Sequence, residues 1–142
     1  MRLKKFLSKN SFLSILTARA HSIIFGMISL FYRVAFYHRS YIAFSAKVIG
    51  WKSIKLGKNV VISAGSWINV NDRNTRNPKL YIESNSFIGR NNFITVGRLV
   101  HIGEFVLTGT NCSFICSSHN ISNVLLPYSV TGVTNSSDIK IE

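Results

Sequence analysis

The sequence predicts a mainly β fold, a parallel β-helix built from six-residue repeats, with a helical segment before it. Two observations support the repeats: an aliphatic residue opens each unit of six, and a small residue tends to lie four places later. A third observation is that the spacing of apolar residues changes from helical to six-residue at about Ile42. The opening residues of the array, which covers residues 42 to 118, are Ile42, Val48, Leu56, Ile62, Ile68, Ile82, Ile88, Ile94, Ile102 and Thr108.

Each unit supplies one short flat face and one corner of a triangular prism, so three units complete one coil. Only the opening residue and the small residue point inward, and the aliphatic side chains fill the axis of the prism. Equivalent positions in successive coils are then about 4.8 Å apart. Glycine follows the opening residue in four units, where we expect it to give the backbone the freedom to turn. These glycines are Gly57, Gly89, Gly103 and Gly109.

Departures from the six-residue step predict where loops leave the prism. The step is eight before Leu56 and before Ile102, which gives one corner two extra residues. The polar segment 71–79 contains the sequence NDRNTRNP and is predicted to leave as a loop. A second loop is predicted from His119 to Ser137, after which Ile139 and Ile141 resume the aliphatic pattern. The sequence therefore predicts about four coils.

Residues 1–40 form the predicted helical segment, and residues 41–142 form the β-helix domain. No Pro interrupts the segment, and the first 71 residues contain no Asp or Glu. Its longest uncharged stretch, Ala20 to Tyr32, falls short of the roughly 20 apolar residues that a membrane span requires. A signal peptide is not expected either, because no small-residue cleavage pattern follows the apolar stretch. The segment is predicted either to lie in the membrane interface, attracted to anionic lipid, or to pack on the base of the domain.

Four fragments of the array, LGKNVV, FIGRNN, HIGEFV and TGTNCS, resemble the hexapeptide repeat of the left-handed β-helix acyltransferases. The resemblance implies a left-handed coil and acetyl-CoA as co-substrate. It also implies a homotrimer with active sites between neighbouring subunits. Members of this family continue beyond a sequence like IKIE with further coils that form much of the acetyl-CoA groove, so we expect this chain to be truncated at its carboxyl end, with the cofactor-binding residues unknown.

The segment CSSHNIS contains the predicted catalytic residue, His119. It is similar to the setting of a histidine in sugar and xenobiotic O-acetyltransferases of this fold. The resemblance implies that His119 takes the proton from an acceptor hydroxyl, and its unperturbed pKa of about 6.5 suits a general base. The neighbouring Ser117, Ser118 and Asn120 are predicted to contact the oxyanion or the acceptor, although polar residues also satisfy the backbone of loops.

Further acceptor-binding candidates lie in the coil before His119. They are Asn91, Asn92, Arg98 and His101. His101 is predicted to be the last residue of a corner, on the same prism edge as His119. Asn92 occupies a slot for a small inward residue, and its structural interpretation is a hydrogen bond within a corner.

No metal is expected. Cys112 and Cys116 have C-x3-C spacing and are interpreted as reduced thiols. A γ-type carbonic anhydrase needs three histidines around zinc, and His101 and His119 lack a third partner close in sequence. The net charge of +12 attracts anionic partners. Nucleic acid is not expected among them, because the basic residues are interleaved with aliphatic helix rather than set on a stacking platform.

The predicted function is transfer of an acetyl group from acetyl-CoA to a sugar hydroxyl in the biosynthesis of a surface polysaccharide (lipopolysaccharide, capsule or exopolysaccharide). The acceptor would be a sugar or a lipid-linked saccharide. The predicted location is the cytoplasm, with peripheral contact to the inner face of the membrane through residues 1–40. Two alternatives stay open: N-acetylation of an amino sugar on the same fold, and a non-catalytic truncated remnant.

Overall fold

The computed structural model describes residues 2–70, 79–116, 118–121, 125, 131, 133–134 and 137–142, with residues 2–13, 119 and 133–134 described by their backbone alone. The chain divides into two compact units, Met1–Phe36 and Tyr37–Glu142. The observed class is one helix followed by parallel sheets of short strands, which confirms the predicted fold at that level. The predicted loop 71–79 lies outside the described residues except for Lys79.

The first unit is a single helix, α1 (Arg2–Ala35). Its segment Ser14–Ala35 has 22 residues and a mean hydropathy of 1.4, so it is long and apolar enough to cross a membrane. The length argument against a span therefore does not hold for this helix, because Arg19 interrupts the uncharged stretch without ending the apolar helix. A helix of this kind near the amino terminus is found in membrane-associated chains and in signal sequences alike.

The described residues of the second unit form thirteen short strands. In chain order they are β1 (Tyr41–Ile42), β2 (Lys47–Ile49), β3 (Ile54–Leu56), β4 (Val61–Ile62), β5 (Trp67–Val70), β6 (Leu80–Ile82), β7 (Phe87–Ile88), β8 (Phe93–Val96), β9 (Leu99–Ile102), β10 (Ser113–Ile115), β11 (Ser118–His119), β12 (Val133–Thr134) and β13 (Asp138–Ile141). Sheet A has the order β1-β4-β7, sheet B the order β10-β8-β5-β2, and sheet C the order β13-β9-β6-β3. All pairings within these three sheets are parallel, whereas β11 and β12 form an antiparallel pair.

Strand register confirms the predicted coil length. The chain passes through sheets A, B and C in turn and returns to sheet A, and we call one such passage a coil. Ile42 pairs with Ile62, twenty residues later, as the steps of six, six and eight predict. Ile62 pairs with Ile88, 26 residues later, because the connection that contains residues 71–78 makes this coil six residues longer. The predicted return of the chain is also confirmed, since Ile141 pairs with Ile102 in sheet C.

The interior of the coils is the predicted ladder of aliphatic side chains. Every opening residue except Leu56 is buried, and Ile68, Ile88, Ile94 and Ile102 have no exposed surface. Burial of one such side chain contributes about 1.5–3 kcal/mol. A second set of inward residues lies two positions from an opening residue, beside the wide corner, and was not predicted. It contains Ile54, Val70, Leu80, Val96 and Val100.

Asparagine, not glycine, makes most of the corner turns. Six described residues in the left-handed region lie three places after an opening residue, and they are Asn59, Gly65, Asn85, Asn91, Phe105 and Asn111. Gly50, with φ 91°, lies instead at the BC side of the first coil, two places after Val48. The predicted turning role of Gly57, Gly89, Gly103 and Gly109 is wrong, because none of them has a positive φ. At Gly57 and Gly89 the requirement is close approach instead: a Cβ on Gly57 would lie 2.7 Å from Ser84 Oγ, and one on Gly89 would lie 2.8 Å from the carbonyl oxygen of Thr108 in the next coil.

Candidate functional site

One edge of the coil receives every insertion in the chain. The connections from sheet A to sheet B and from sheet C to sheet A have the same length in each coil, whereas those from sheet B to sheet C do not. We call this third position the BC edge. Its connections are Gly50–Ser53 in the first coil, 71–79 in the second, Gly97–Arg98 in the third and 117–137 in the fourth. Sequence spacing predicted this edge from the two steps of eight.

The last connection leaves the coil and returns to it at well-defined points. Ile115 pairs with Thr95, and the buried Cys116 that follows has its Sγ 3.1 Å from the backbone nitrogen of Gly97. Asp138 pairs with Leu99 and begins strand β13. Residues 117–137 therefore replace the two-residue connection Gly97–Arg98 of the coil below, and we call them the BC excursion.

His119 lies at the root of the BC excursion. The predicted loop from His119 to Ser137 is wrong in one respect, because Ser118 and His119 form strand β11, paired antiparallel with β12. His119 is opposite Val133 in this pair. An antiparallel pair fixes the backbone on both sides of the excursion, which suits a residue that must be held in place.

The structure describes some of the residues predicted to surround His119. The backbone carbonyl of Asn120 accepts a hydrogen bond of 2.8 Å from Thr131 Oγ1, which joins the two sides of the excursion beyond the strand pair. Ser118 is exposed, and Asn120 is half-buried. Ser117 and the side chain of His119 lie outside what the structure describes, so their predicted contacts remain predictions.

Arg98 lies at the BC edge directly below the excursion. Its Nε is 3.1 Å from Asp138 Oδ1, and the two side chains are 64% and 32% exposed. An ion pair with this exposure is worth about 0–1 kcal/mol, because water screens it. The pair joins the returning strand to the coil below, so the predicted acceptor contact of Arg98 would have to compete with Asp138.

His101 is not at a corner, so its predicted placement is wrong. It lies within strand β9 between the buried Val100 and Ile102, and its side chain therefore points outward from sheet C. Its Nε2 is 3.2 Å from Glu83 Oε1, and its ring lies 6.0 Å from that of Tyr81. The carboxylate orients the imidazole on an exposed face, two residues along from the position where the BC excursion returns.

Asn91 and Asn92 lie on a different edge, between sheets A and B. Asn91 is an exposed corner residue with φ 55°. Asn92 is 1% exposed: its Nδ2 donates to Thr108 Oγ1 at 2.6 Å, and its Oδ1 accepts from the backbone N–H of Cys112 at 2.8 Å. These bonds confirm the structural interpretation of Asn92. The structure thus brings Arg98 close to the excursion and leaves the two asparagines at another edge.

Sequence reasoning missed the pairing of Glu83 with His101. The two residues are eighteen apart and belong to neighbouring coils, so the contact depends on the register between β6 and β9. The spacing of the repeats in the sequence gives this register, since it aligns Tyr81 with His101. Glu83 is two places beyond Tyr81. A row of outward residues on sheet C results, in which Lys55 lies over the Tyr81 ring at 5.9 Å and Lys140 lies opposite His101.

No protein-family model, curated protein or solved structure matches the chain. The hexapeptide-repeat resemblance therefore remains a prediction that rests on the residues themselves. Within the described part of the chain, no group of three or more His, Cys, Asp or Glu could hold a metal ion. Cys112 and Cys116 are both free thiols, as predicted.

Proposed function

We propose that the second unit is a left-handed β-helix of the hexapeptide-repeat acyltransferase type, and that it transfers an acetyl group from acetyl-CoA to a sugar hydroxyl of a surface polysaccharide precursor. The observation that supports the proposal best is the position of His119 at the root of the BC excursion. Successive coils are twenty residues apart, and His119 lies at the one edge where their connections vary in length. Sites on a repetitive scaffold are built in such irregular connections, because the coil interior is occupied by its core.

His119 acts as the general base in this proposal. Its imidazole takes the proton of the acceptor hydroxyl while that oxygen attacks the thioester carbonyl carbon of acetyl-CoA. The tetrahedral oxyanion is stabilised by hydrogen-bond donors, for which Ser117, Ser118 and Asn120 are candidates. The carbon–sulfur bond then breaks, and the imidazolium returns the proton to the leaving thiolate. The products are the acetyl ester of the sugar and the free thiol of coenzyme A.

Assembly of three copies is part of the proposal, and an apolar column on sheet A supports it. Outward residues Tyr41, Val61, Phe87 and Leu107 are in register along successive coils. Leu107 is 77% exposed, and Phe105 beside it is 72% exposed, although monomeric proteins seldom expose contiguous apolar patches. Light scattering measures the oligomeric state of the wild type and of Leu107→Ser. We expect the wild type to be a trimer and the variant to dissociate. A monomeric wild type would contradict it.

The location proposed for the protein is the cytoplasm, at the inner face of the membrane. The apolar helix α1 supports membrane association, as do the basic residues of the first 71 positions, which favour anionic lipid. A lipid-linked saccharide acceptor would be found at the same surface.

Thiol release in the presence of acetyl-CoA and a panel of sugars tests the proposed reaction. We expect His119→Ala to lower the rate by about 10²–10⁴-fold, which is the usual contribution of a general base. His38→Ala is the matched control, because His38 is exposed and lies 81 residues before His119 in the sequence. Equal rates for wild type and His119→Ala would overturn the role of this residue. Hydroxylamine separates the two acceptor classes, since it cleaves an O-acetyl ester and leaves an N-acetyl amide intact.

A further inference from the structure

The first coil carries a belt of basic and aromatic side chains around its whole circumference. Each face and each edge contributes at least one exposed residue to this belt. We call the set the base ring, and its members are Arg39, Tyr41, Phe44, Lys47, Lys52, Lys55 and Lys58. All of them belong to the unit Tyr37–Glu142.

The base ring lies at one end of the coil. Strands β1, β2 and β3 of the first coil are the outermost strands of sheets A, B and C. The sequence contains no Asp or Glu before Asp72, so no acidic side chain lies in the first coil. The described carboxylates all lie beyond strand β6 of the second coil, at Glu83, Glu104, Asp138 and Glu142. The first coil therefore carries cations without any carboxylate, whereas the later coils carry both signs of charge.

The two aromatic members of the ring have most of their surface exposed. Phe44 is 87% exposed and Tyr41 is 64% exposed. Both are outward residues of the first coil, which also carries the five cations of the ring, and Tyr41 is in addition the first residue of the apolar column on sheet A. Aromatic rings beside lysines are the composition that binds the interface of a bilayer, where the ring enters the headgroup region and the ammonium meets lipid phosphate.

The geometry points to the base ring as a docking surface for the anionic phospholipid headgroups of a bilayer, distinct from helix α1. Charge complementarity selects this partner, since each lysine near an anionic surface strengthens binding about fivefold. Lys47 and Lys55 lie over the rings of Trp67 and Tyr81, at 4.9 and 5.9 Å. Lys52 and Lys58 have exposed side chains at two edges and are therefore the clearest residues to test.

A competing role for these lysines is protection of the sheet edges, because charged residues on outermost strands prevent edge-to-edge association. The two roles predict different results for neutral variants. Loss of edge protection raises self-association and leaves vesicle binding unchanged. Loss of a lipid contact lowers binding to anionic vesicles.

The first experiment compares the full chain with K52Q/K58Q and with the matched control R90Q/K140Q, which removes the same charge from later coils. Sedimentation with phosphatidylcholine vesicles containing one quarter phosphatidylglycerol measures binding, and helix α1 contributes equally to all three proteins. We expect K52Q/K58Q to bind about 25-fold more weakly at low salt and R90Q/K140Q to bind within about twofold of wild type. Equal losses in the two variants would overturn the proposal. An equal loss of binding to a DNA duplex by K52Q/K58Q would also overturn it, by revealing a general polyanion site.

The second experiment remains decisive if α1 alone saturates vesicle binding. Phe44→Trp and Leu107→Trp place a reporter in the base ring and on a later coil, at two exposed apolar positions. Brominated phosphatidylcholine quenches tryptophan that enters the bilayer. We expect quenching above the wild-type background for Phe44→Trp on anionic vesicles and none for Leu107→Trp. Equal quenching of the two variants, or no added quenching of Phe44→Trp, would overturn the docking of the base ring.

Discussion

Gly89 and Gly109 occupy the same position of their repeats, one place after an opening residue, yet the structure predicts opposite results for alanine at each. A Cβ on Gly89 would lie 2.6 Å from the carbonyl carbon of Gly109 and 2.8 Å from the carbonyl oxygen of Thr108. Backbone atoms of the next coil cannot rotate away. Among the described residues, a Cβ on Gly109 meets only Cys112 Sγ, at 3.7 Å, which is an ordinary van der Waals contact.

Gly89→Ala lowers the free energy of unfolding because its Cβ pushes two neighbouring coils apart. Moving the carbon–carbon contact from 2.6 Å to about 3.5 Å separates the coils locally by about 0.9 Å. Hydrogen bonds of 2.9 Å between the coils would then exceed hydrogen-bonding distance. Three such bonds surround the site, from Thr108 N to Phe87 O, from Gly89 N to Thr108 Oγ1 and from Asn111 N to Arg90 O. At about 1 kcal/mol each, their loss lowers the free energy of unfolding by about 3 kcal/mol.

Urea unfolding followed by circular dichroism measures the difference between the two variants. We expect Gly89→Ala to lose about 3 kcal/mol. Gly109→Ala should lie between wild type and a gain of about 1 kcal/mol, because alanine reduces the entropy of the unfolded chain. Equal stabilities for the two variants would refute the close-approach argument.

Two further predictions concern the corners. Asn92→Ala removes the hydrogen bonds to Thr108 and from the backbone N–H of Cys112, and the buried N–H loses its acceptor. We expect a loss of about 2–3 kcal/mol in urea unfolding, and a loss below about 0.5 kcal/mol would contradict the internal role of this amide. Asn85 has φ 64° and accepts a hydrogen bond of 3.1 Å from Asn59 Nδ2. Asn85→Gly should therefore remain within about 0.5 kcal/mol of wild type while Asn85→Ala loses about 1 kcal/mol, and the reverse order in thermal unfolding would argue against a left-handed corner.

The coil was predictable because its core is specified locally. Each inward position must be aliphatic or small, and the six-residue spacing of those residues is visible in the sequence without knowledge of distant contacts. The second inward set was missed for a simple reason: a strict period of six ignores the alternation within the longer strands of sheets B and C. Ile54 with Leu56, Leu80 with Ile82 and Val100 with Ile102 alternate with period two, which is the signal that would have identified them.

The candidate site was predictable only in part. The position of His119 at the end of the regular array follows from the repeats, and strand register confirms that the chain leaves the coil there and returns at Asp138. The Glu83–His101 contact was missed although the twenty-residue step from Ile82 to Ile102 contains its register, because no pairing of outward residues between coils was considered. The antiparallel pair at the root of the excursion joins residues fourteen to sixteen apart in a segment without aliphatic periodicity, so no pattern in the sequence indicates it.

Concentration of all insertions at the BC edge has a physical cause. On either side of that edge the strands of sheets B and C carry an extra inward residue, such as Val70 and Leu80 or Val96 and Val100, and each of these four is fully buried. The core is therefore closed on both sides of the connection before the chain leaves it. A connection of two residues or of twenty-one then joins the same two buried positions, at an entropic cost that grows only slowly with loop length.

At the other two edges the corner residue itself is inward, as at Ser66 and Ser86, and an insertion there would open the core. Variation in connection length is accordingly restricted to one edge, which is the edge where the backbone of His119 lies.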